Sequence, residues 1–249
     1  MSLDNILENH TAVPPESIEF EDIPQFQKRL TSYISDFDRS QTGTQFVVFR
    51  GVTAEIFERI EWLRDRVFKG VRLGHNLADN TLVVKMHSAL HELSFKTITS
   101  GLDSMLWPMG LRRSYRWLGA TRFLSTTSRR SKEGDQVLMP VGRIAVNNFP
   151  SFVIEVGVSE GLNGLRADAE FWLLHTTNDC RLVLVVAMNR TSRWMAFELY
   201  QRGTIPGRVT RNKPNPPPVP IATLRQPQIV LQHSGGVIGP PDLNIPLGS

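Results

Sequence analysis

Three acidic residues occur where the order of the surrounding segments could bring their carboxylates together. Glu155 lies within the otherwise apolar segment SFVIEVG, Asp135 starts a predicted strand after KEG, and Glu92 lies in the first turn of a predicted helix. Burying an unpaired carboxylate costs several kcal/mol, so Glu155 needs a partner. A divalent metal ion is one such partner, because Asp and Glu oxygens suit Mg²⁺ or Mn²⁺. An ion pair with Arg166 or Lys132 is the other.

A basic stretch separates the helix of Glu92 from Asp135. Between Leu111 and Lys132 the chain has no acid, and its basic residues are Arg112, Arg113, Arg116, Arg122, Arg129, Arg130 and Lys132. Such a stretch could attract phosphates. We predict that all of these residues except Arg122 contact DNA or RNA. A solubilising face followed by a loop would have the same composition, so both interpretations stay open.

Two neighbours of these acids also have more than one interpretation each. His91, beside Glu92, could bind a metal ion or act as a base near the site. It could instead be a residue of the helix surface, or one that supports the site residues without binding the ion itself. Asp168 is predicted to form an ion pair with Arg166 or with another basic group. The sequence contains no phosphate-binding glycine loop, no zinc-type Cys/His spacing and no nucleophile elbow.

The segments that must position these residues alternate between apolar strands and amphipathic helices. Strands are predicted at 45–52, 82–86, 115–124, 134–139, 152–156, 182–188 and 194–200. Helices are predicted at 23–37, 54–67, 87–109 and 159–175, with Thr53 and Ser88 as N-caps of the second and third. This order predicts an α/β fold with one mixed central β-sheet flanked by helices.

The composition fits one folded unit with a sizeable core. The chain has 249 residues, of which 41% are hydrophobic, and its net charge is +4. No apolar run approaches the ~20 residues that span a bilayer, and the N-terminus lacks the pattern of a secretory signal. The single cysteine, Cys180, is predicted to be buried in the core. We therefore expect an intracellular protein, of the cytoplasm or nucleus, that does not enter a membrane.

Taken in order, these motifs resemble those of the PD-(D/E)XK, or restriction-endonuclease-like, nucleases. That family uses an acid from its first core helix, an Asp that starts a strand, and an acid in the next strand, two residues before a lysine. KEGDQVLMP followed by SFVIEVG has this form, and HELSF supplies the helix acid. The sequence is more similar to a group of family members from filamentous fungi. The segments of this chain that correspond to their motifs are LVVKM, HE, KEGD, PSFVIEVGVSE and LRADAEFWL. The matched segment covers residues 81–200.

The resemblance implies a restriction-endonuclease-like core and metal-dependent hydrolysis of phosphodiester bonds in nucleic acid. It implies that Glu92, Asp135 and Glu155 are catalytic and bind one or two divalent ions, Mg²⁺ or Mn²⁺. It also divides the chain into three parts. Residues 1–80 would be an arm with helices and a strand that pack on the core, residues 81–202 the core domain, and residues 203–249 a Pro-rich, largely extended tail.

Two positions depart from the family pattern. Gly157 occupies the position of the lysine, and Gly134 replaces the proline before Asp135, which is expected to loosen that turn. Arg166 in the following helix is then the candidate for the catalytic cation. It could orient a phosphate or stabilise developing charge, but a guanidinium stays protonated and cannot act as a base.

These departures leave two further interpretations open. The chain could be a catalytically inactive protein of the nuclease fold that acts as a binding or interaction module. It could also be an α/β domain of another family, in which Glu155 belongs to an ordinary buried ion pair.

Overall fold

A computed structural model describes most of the chain between residues 16 and 238. The described ranges are 16–40, 45–68, 70–119, 121–125, 128–143, 148–158, 162–176, 179–189, 193–206, 218–232 and 237–238. Their helices are α1 (Ile23–Ser40), α2 (Ala54–Val67), α3 (Ala89–Leu106) and α4 (Leu162–Leu174). Their strands are β1 (Glu16–Glu19), β2 (Phe46–Arg50), β3 (Val71–Asn76), β4 (Thr81–Met86), β5 (Tyr115–Trp117), β6 (Arg122–Ser125), β7 (Arg130–Glu133), β8 (Gln136–Pro140), β9 (Phe152–Val158), β10 (Leu182–Asn189), β11 (Trp194–Ile205), β12 (Val219–Leu224), β13 (Ile229–Gln232) and β14 (Val237–Ile238).

The strands form two mixed sheets where the sequence predicted one. The first sheet has the order β1-β2-β4-β3-β7-β6, with β1 parallel to β2 and the other pairs antiparallel. The second has the order β14-β13-β11-β10-β9-β8-β5, with β12 also paired to β11. Its one parallel pair among the described strands is β9 with β10. The predicted α/β class is confirmed.

One face of the first sheet is covered by α1 and α2. The buried side chains Phe26 and Leu30 of α1 and Ile60 of α2 pack with Phe49 and Leu73 of the sheet. The spacing of apolar residues in α1 produces this buried stripe. Thr53 begins α2 as predicted, because its hydroxyl accepts a hydrogen bond from the backbone N–H of Ile56 at 3.4 Å.

The second sheet has helices on both faces. Leu165 and Trp172 of α4 pack against Val153 and Val183 on one face. Phe95 of α3 packs on the other face, in a cluster with residues of β9 and β10. The continuous apolar runs of β9 and β10 follow from this double coverage, since a strand buried on both faces needs no polar alternation. Cys180 is buried, as predicted.

The chain crosses between the sheets inside the segment predicted as one strand at 115–124. β5 pairs with β8 in the second sheet, and β6 pairs with β7 in the first. Gly119 lies between them with φ +57°, and its N–H donates to the side-chain oxygen of Gln136 at 2.6 Å. This backbone region favours glycine, so the turn depends on that residue.

The first sheet extends across the expected domain boundary at residue 80. β4 pairs with β2 on one side and β3 on the other. In the expected tail, β12 and β13 pair with β11, while residues 207–217 and 239–249 lie outside the described ranges. The division into three parts stays a prediction. No helix in the described ranges is both long enough and apolar enough to cross a membrane.

A buried ion pair fixes α2 to the first sheet. Arg64 pairs with Glu133 at the end of β7. The other carboxylate oxygen of Glu133 accepts the N–H of Leu73 at 3.2 Å.

We expect Arg64→Ala to lower the free energy of unfolding by about 3 kcal/mol, because Glu133 would stay buried without its cation. Arg66→Ala, on the same helix but over the exposed ring of Trp62, should cost less than about 1 kcal/mol. Urea denaturation measures both, and equal losses would contradict this account of the Arg64 pair.

Candidate functional site

Asp135 lies at the passage from the first sheet to the second, directly before β8, and has no exposed surface. Its Oδ2 accepts hydrogen bonds from Lys85 Nζ at 2.9 Å, from His91 Nε2 at 2.9 Å and from the backbone N–H of Val156 at 2.8 Å. Burial alone would raise the pKa of Asp135, but His91 and the Lys85 ammonium hold it well below its ordinary value. Asp135 is therefore a carboxylate at neutral pH.

Gly134 gives Asp135 a closely packed turn rather than the loose one expected. A Cβ at this position would come within 2.8 Å of Val137 Cγ1 and 3.3 Å of the Trp172 ring. The glycine therefore lets the backbone before Asp135 approach the core under α4.

Glu155 lies in the middle of β9 and is also fully buried. Its Oε1 accepts a hydrogen bond from the indole N–H of Trp172 at 2.6 Å and lies 3.7 Å from Lys132 Nζ. Burial raises the pKa of this carboxyl to about 8, although Lys132 opposes the shift. Of the two ion-pair partners expected for Glu155, the structure thus provides Lys132.

Lys85 is the residue that sequence reasoning missed. Its Nζ lies 2.9 Å from Asp135 Oδ2 and 3.9 Å from Glu155 Oε2, and it donates to the carbonyl of Val156 at 2.9 Å. It comes from β4 of the first sheet and so reaches both acids from a strand other than their own. A signal was available, because a lysine in the apolar segment LVVKM needs a partner for the same reason as Glu155 in SFVIEVG.

Two stacked histidines complete the surroundings of Asp135. His87 follows β4, His91 lies in the first turn of α3, and their ring centroids are 3.9 Å apart. Ser88 caps α3 as predicted, accepting the N–H of His91 at 3.2 Å. Burial lowers the pKa of His91 to about 4 despite the nearby Asp135, so this imidazole is neutral at pH 7. His91 is thus a buried neighbour of Asp135 rather than a residue of the helix surface.

Glu92 does not join the other two acids directly. Its Oε1 lies 3.3 Å from Nδ1 of His87, and Nε2 of the same ring lies 3.1 Å from Asp135 Oδ1. The hydrogen bond with His87 lowers the pKa of Glu92, against the effect of burial. Arg72 lies 3.7 Å from the same carboxylate, which is 34% exposed. Glu92 therefore acts on Asp135 through the His87 ring.

Arg166, the expected catalytic cation, is paired with a different carboxylate. Its Nε and Nη2 bind the two oxygens of Glu198 on β11 at 3.0 and 2.7 Å. Tyr200 and Gln228 donate to the same buried carboxylate. Two residues along α4, Asp168 forms its ion pair with Lys132 at 2.7 Å. The charge beside Asp135 and Glu155 thus comes from Lys85 and Lys132, while Arg166 is bound elsewhere.

A cleft of about 160 Å³ leads to this cluster between the first sheet and α4. Its lining includes the basic residues Arg72, Lys85, Arg130 and Lys132. Arg130 and Lys132 are the part of the basic stretch that reaches it. Arg112 and Arg113 precede β5 and Arg116 lies within it, at an edge of the second sheet, and none of them lines the cleft. The stretch therefore forms two separate basic regions.

The donor set of the cluster suits a divalent metal ion. Ligand atoms of His87, His91 and Asp135 lie within 4.8 Å of one another, so these three residues could hold an ion. Glu155 Oε2 is buried and accepts no hydrogen bond from any residue in the described ranges, whereas Asp135 Oδ1 faces His87 Nε2 at 3.1 Å. Carboxylate oxygens favour Mg²⁺ or Mn²⁺, and imidazole nitrogens also suit Zn²⁺.

No protein-family model matches the chain, and no curated protein matches its sequence. The resemblance to PD-(D/E)XK nucleases therefore rests on the sequence motifs, and the restriction-endonuclease-like core stays a prediction. The structure shows in addition that the side chains of Asp135, Glu155 and Lys85 lie next to one another.

The hydrogen bond from Trp172 to Glu155 gives a prediction with a matched control. Trp172→Phe keeps an aromatic side chain but removes the N–H together with part of the indole volume. The carboxyl of Glu155 would then lose its hydrogen bond from the indole, and we expect this to lower the free energy of unfolding by about 1–3 kcal/mol. Trp194 is also buried, but its N–H has no hydrogen-bond partner in the described part of the chain. Trp194→Phe should therefore cost less. Denaturation curves of the two variants decide this, and a greater loss for Trp194→Phe would count against it.

Proposed function

We propose that this protein is a metal-dependent nuclease that hydrolyses phosphodiester bonds of DNA or RNA. The observation that carries the proposal is the position of the Lys85 ammonium, which lies beside the carboxyl groups of Asp135 and Glu155 at the end of a basic cleft. Under this proposal, Asp135 and Glu155 are the two acids of the motif that the chain resembles, and Lys85 from β4 takes the part of its lysine.

Each residue of this cluster has a role in the proposed reaction. Asp135 and Glu155 would hold Mg²⁺ or Mn²⁺, with His87 as a further donor. A divalent ion held there would lower the pKa of a coordinated water and polarise the scissile phosphate. Lys85 supplies a positive charge where negative charge develops on the phosphate.

The basic residues of the cleft would hold the nucleic-acid backbone. Arg72 and Lys132 are partly neutralised by Glu92 and Asp168, and Arg130 is exposed at the start of β7. Neutralising phosphates with such residues releases counterions, so binding should weaken as salt increases.

The complete burial of both acids favours a second candidate function, a nucleic-acid-binding module without catalysis. Asp135 and Glu155 have no exposed surface, and Lys85 already neutralises Asp135. The cluster would then hold the two sheets together, while the cleft binds phosphates.

A cleavage assay distinguishes the two candidates. Labelled single- and double-stranded DNA and RNA are incubated with the protein in Mg²⁺, in Mn²⁺ and in EDTA. We compare Glu155→Gln, which imitates the protonated carboxyl that burial favours, with Glu170→Gln on the exposed side of α4. The nuclease proposal expects metal-dependent cleavage that Glu155→Gln abolishes and Glu170→Gln keeps. Binding without cleavage supports the second candidate and rejects the first.

A further inference from the structure

The cleft is the route by which a phosphate could approach the two acids. Asp135 and Glu155 are fully buried, and neither lines the cleft. Lys85 and Lys132 do line it, and their ammonium groups contact those acids. A group that enters the cleft therefore meets these two lysines beside the acids.

One wall of the cleft is a single face of the first sheet. Arg72 of β3 is the register partner of Lys85 on β4, and side chains two residues apart on a strand share a face. Arg130 and Lys132 of β7 extend the same wall, so four cations face one narrow space. The opposite wall is α4, with Asp168 and Phe171.

The cleft is small for a nucleic-acid site. Its volume of about 160 Å³ compares with the roughly 300 Å³ at which pockets for drug-sized ligands begin. A phosphate with its sugar fits such a space, whereas a duplex presents each phosphate on a wide, rigid surface that cannot enter. Gly74 lines this space and adds no side chain to it, and a Cβ there would lie 3.6 Å from Ser131 O.

The lining also has aromatic rings beside its cations. Phe46 lies with its ring centroid 5.8 Å from Lys85 Nζ, and Arg130 lies 5.8 Å over the ring of Phe171. Phe171 is buried, so the partly exposed Phe46 is the ring of this pair that a sugar or base could contact. Cations that follow a backbone, together with such a ring, are the usual means of binding an unpaired strand.

We infer that the cleft selects unpaired nucleic acid, admitting one nucleotide of a single strand at a time and excluding duplex. This inference rests on the proposed function for the identity of the ligand, and it adds the form of the substrate. The preference for single strands over duplex would depend on the size of the cleft beside Gly74. It would not depend on the acids proposed to bind the metal ion.

Two substitutions at Gly74 test the role of cleft size without touching an acid. Gly74→Leu would place a branched side chain in the cleft, next to Val83, and is expected to weaken binding of a single strand at least tenfold. Gly74→Ala adds only a methyl group with ordinary van der Waals contacts of 3.6 and 4.0 Å, and binding should change less than threefold. Thermal melting followed by circular dichroism shows whether each variant is folded.

The measurement is fluorescence anisotropy in EDTA, where no metal-dependent hydrolysis occurs. The probes are labelled 12-mers of DNA and of RNA, each unpaired and paired with its complement. We expect unpaired probe to bind at least tenfold more tightly than paired probe, and Gly74→Leu to remove the difference. Equal or tighter binding of duplex, or single-strand binding that the folded Gly74→Leu variant retains, would overturn the inference. Because no cleavage is measured, the result is independent of whether the chain hydrolyses its ligand.

A second pair of variants covers the case in which Gly74→Leu does not fold. Arg130→Glu reverses a charge at the cleft, and the same change at exposed Arg113 reverses one in the other basic region. We expect at least tenfold weaker single-strand binding for Arg130→Glu at low salt, and less than threefold for Arg113→Glu. Equal losses for the two variants would show that charge alone, and not the cleft, binds the strand.

Discussion

Lys85→Met is expected to reduce metal-dependent cleavage by at least ~100-fold, the usual effect of removing one group that stabilises transition-state charge. Methionine keeps much of the length of the side chain but removes the ammonium that lies beside Asp135 and Glu155. The loss should appear in the rate at saturating substrate more than in substrate affinity, because Arg72, Arg130 and Lys132 remain in the cleft.

Arg166→Lys is the informative comparison for this variant. Arg166 is the cation that the sequence suggested, but its guanidinium binds Glu198. The variant should therefore keep cleavage within about threefold, at temperatures where it remains folded. Single-turnover rates with a labelled oligonucleotide measure both, and the reverse order, with Arg166→Lys inactive and Lys85→Met active, would contradict this assignment.

The stability of the protein is expected to fall with increasing pH because of Glu155. Burial raises the pKa of its carboxyl to about 8 from an ordinary value of 4.5. Between these pH values the folded state keeps a proton that the unfolded state has lost, so the free energy of unfolding decreases as pH rises. The contribution is complete below about pH 4.5 and is lost by about pH 8. Each pKa unit corresponds to about 1.4 kcal/mol, so the total change reaches several kcal/mol.

Urea denaturation at pH 5 and pH 8 in EDTA measures this contribution. Glu155→Gln has no proton to lose, so the difference between wild type and this variant isolates the carboxyl from other titrating groups. We expect wild type to lose stability relative to Glu155→Gln as pH rises. If the difference in free energy of unfolding between wild type and Glu155→Gln is the same at both pH values, or changes in favour of wild type at pH 8, Glu155 is charged in the folded protein.

The sequence predicted most of the second sheet because its elements depend on local patterns. The apolar runs of β9 and β10 and the cap at Ser88 are encoded in consecutive residues, and the structure contains each of them. β3 and β7 were missed, since VRLGHN and RSKE are too polar to indicate strands. β3 becomes a strand chiefly by pairing with β4, and β7 by pairing with β6, while β3 and β7 also pair with each other. Such pairing outweighs local propensity.

The site was predicted in part for the same reason. Asp135 and Glu155 occur in a recognisable local motif, and they do come together around one ammonium. Lys85 lies 50 residues before Asp135, so only the tertiary structure shows that its ammonium contacts this carboxylate. The catalytic role expected of Arg166 stays a prediction. Arg166 has the expected place in the sequence, but its hydrogen bonds to Glu198 take it away from the acids.

Titration of the protein with Mn²⁺ in a calorimeter tests most directly whether Asp135 and Glu155 form a metal-binding catalytic centre. At pH 7, binding to wild type should release close to one proton, detected by repeating the titration in buffers of different ionisation enthalpy, because the Glu155 carboxyl must lose its proton to bind an ion. Glu155→Gln should lose this binding, while Glu170→Gln should keep it. No Mn²⁺ binding by wild type, or equal affinity in Glu155→Gln, would contradict the account.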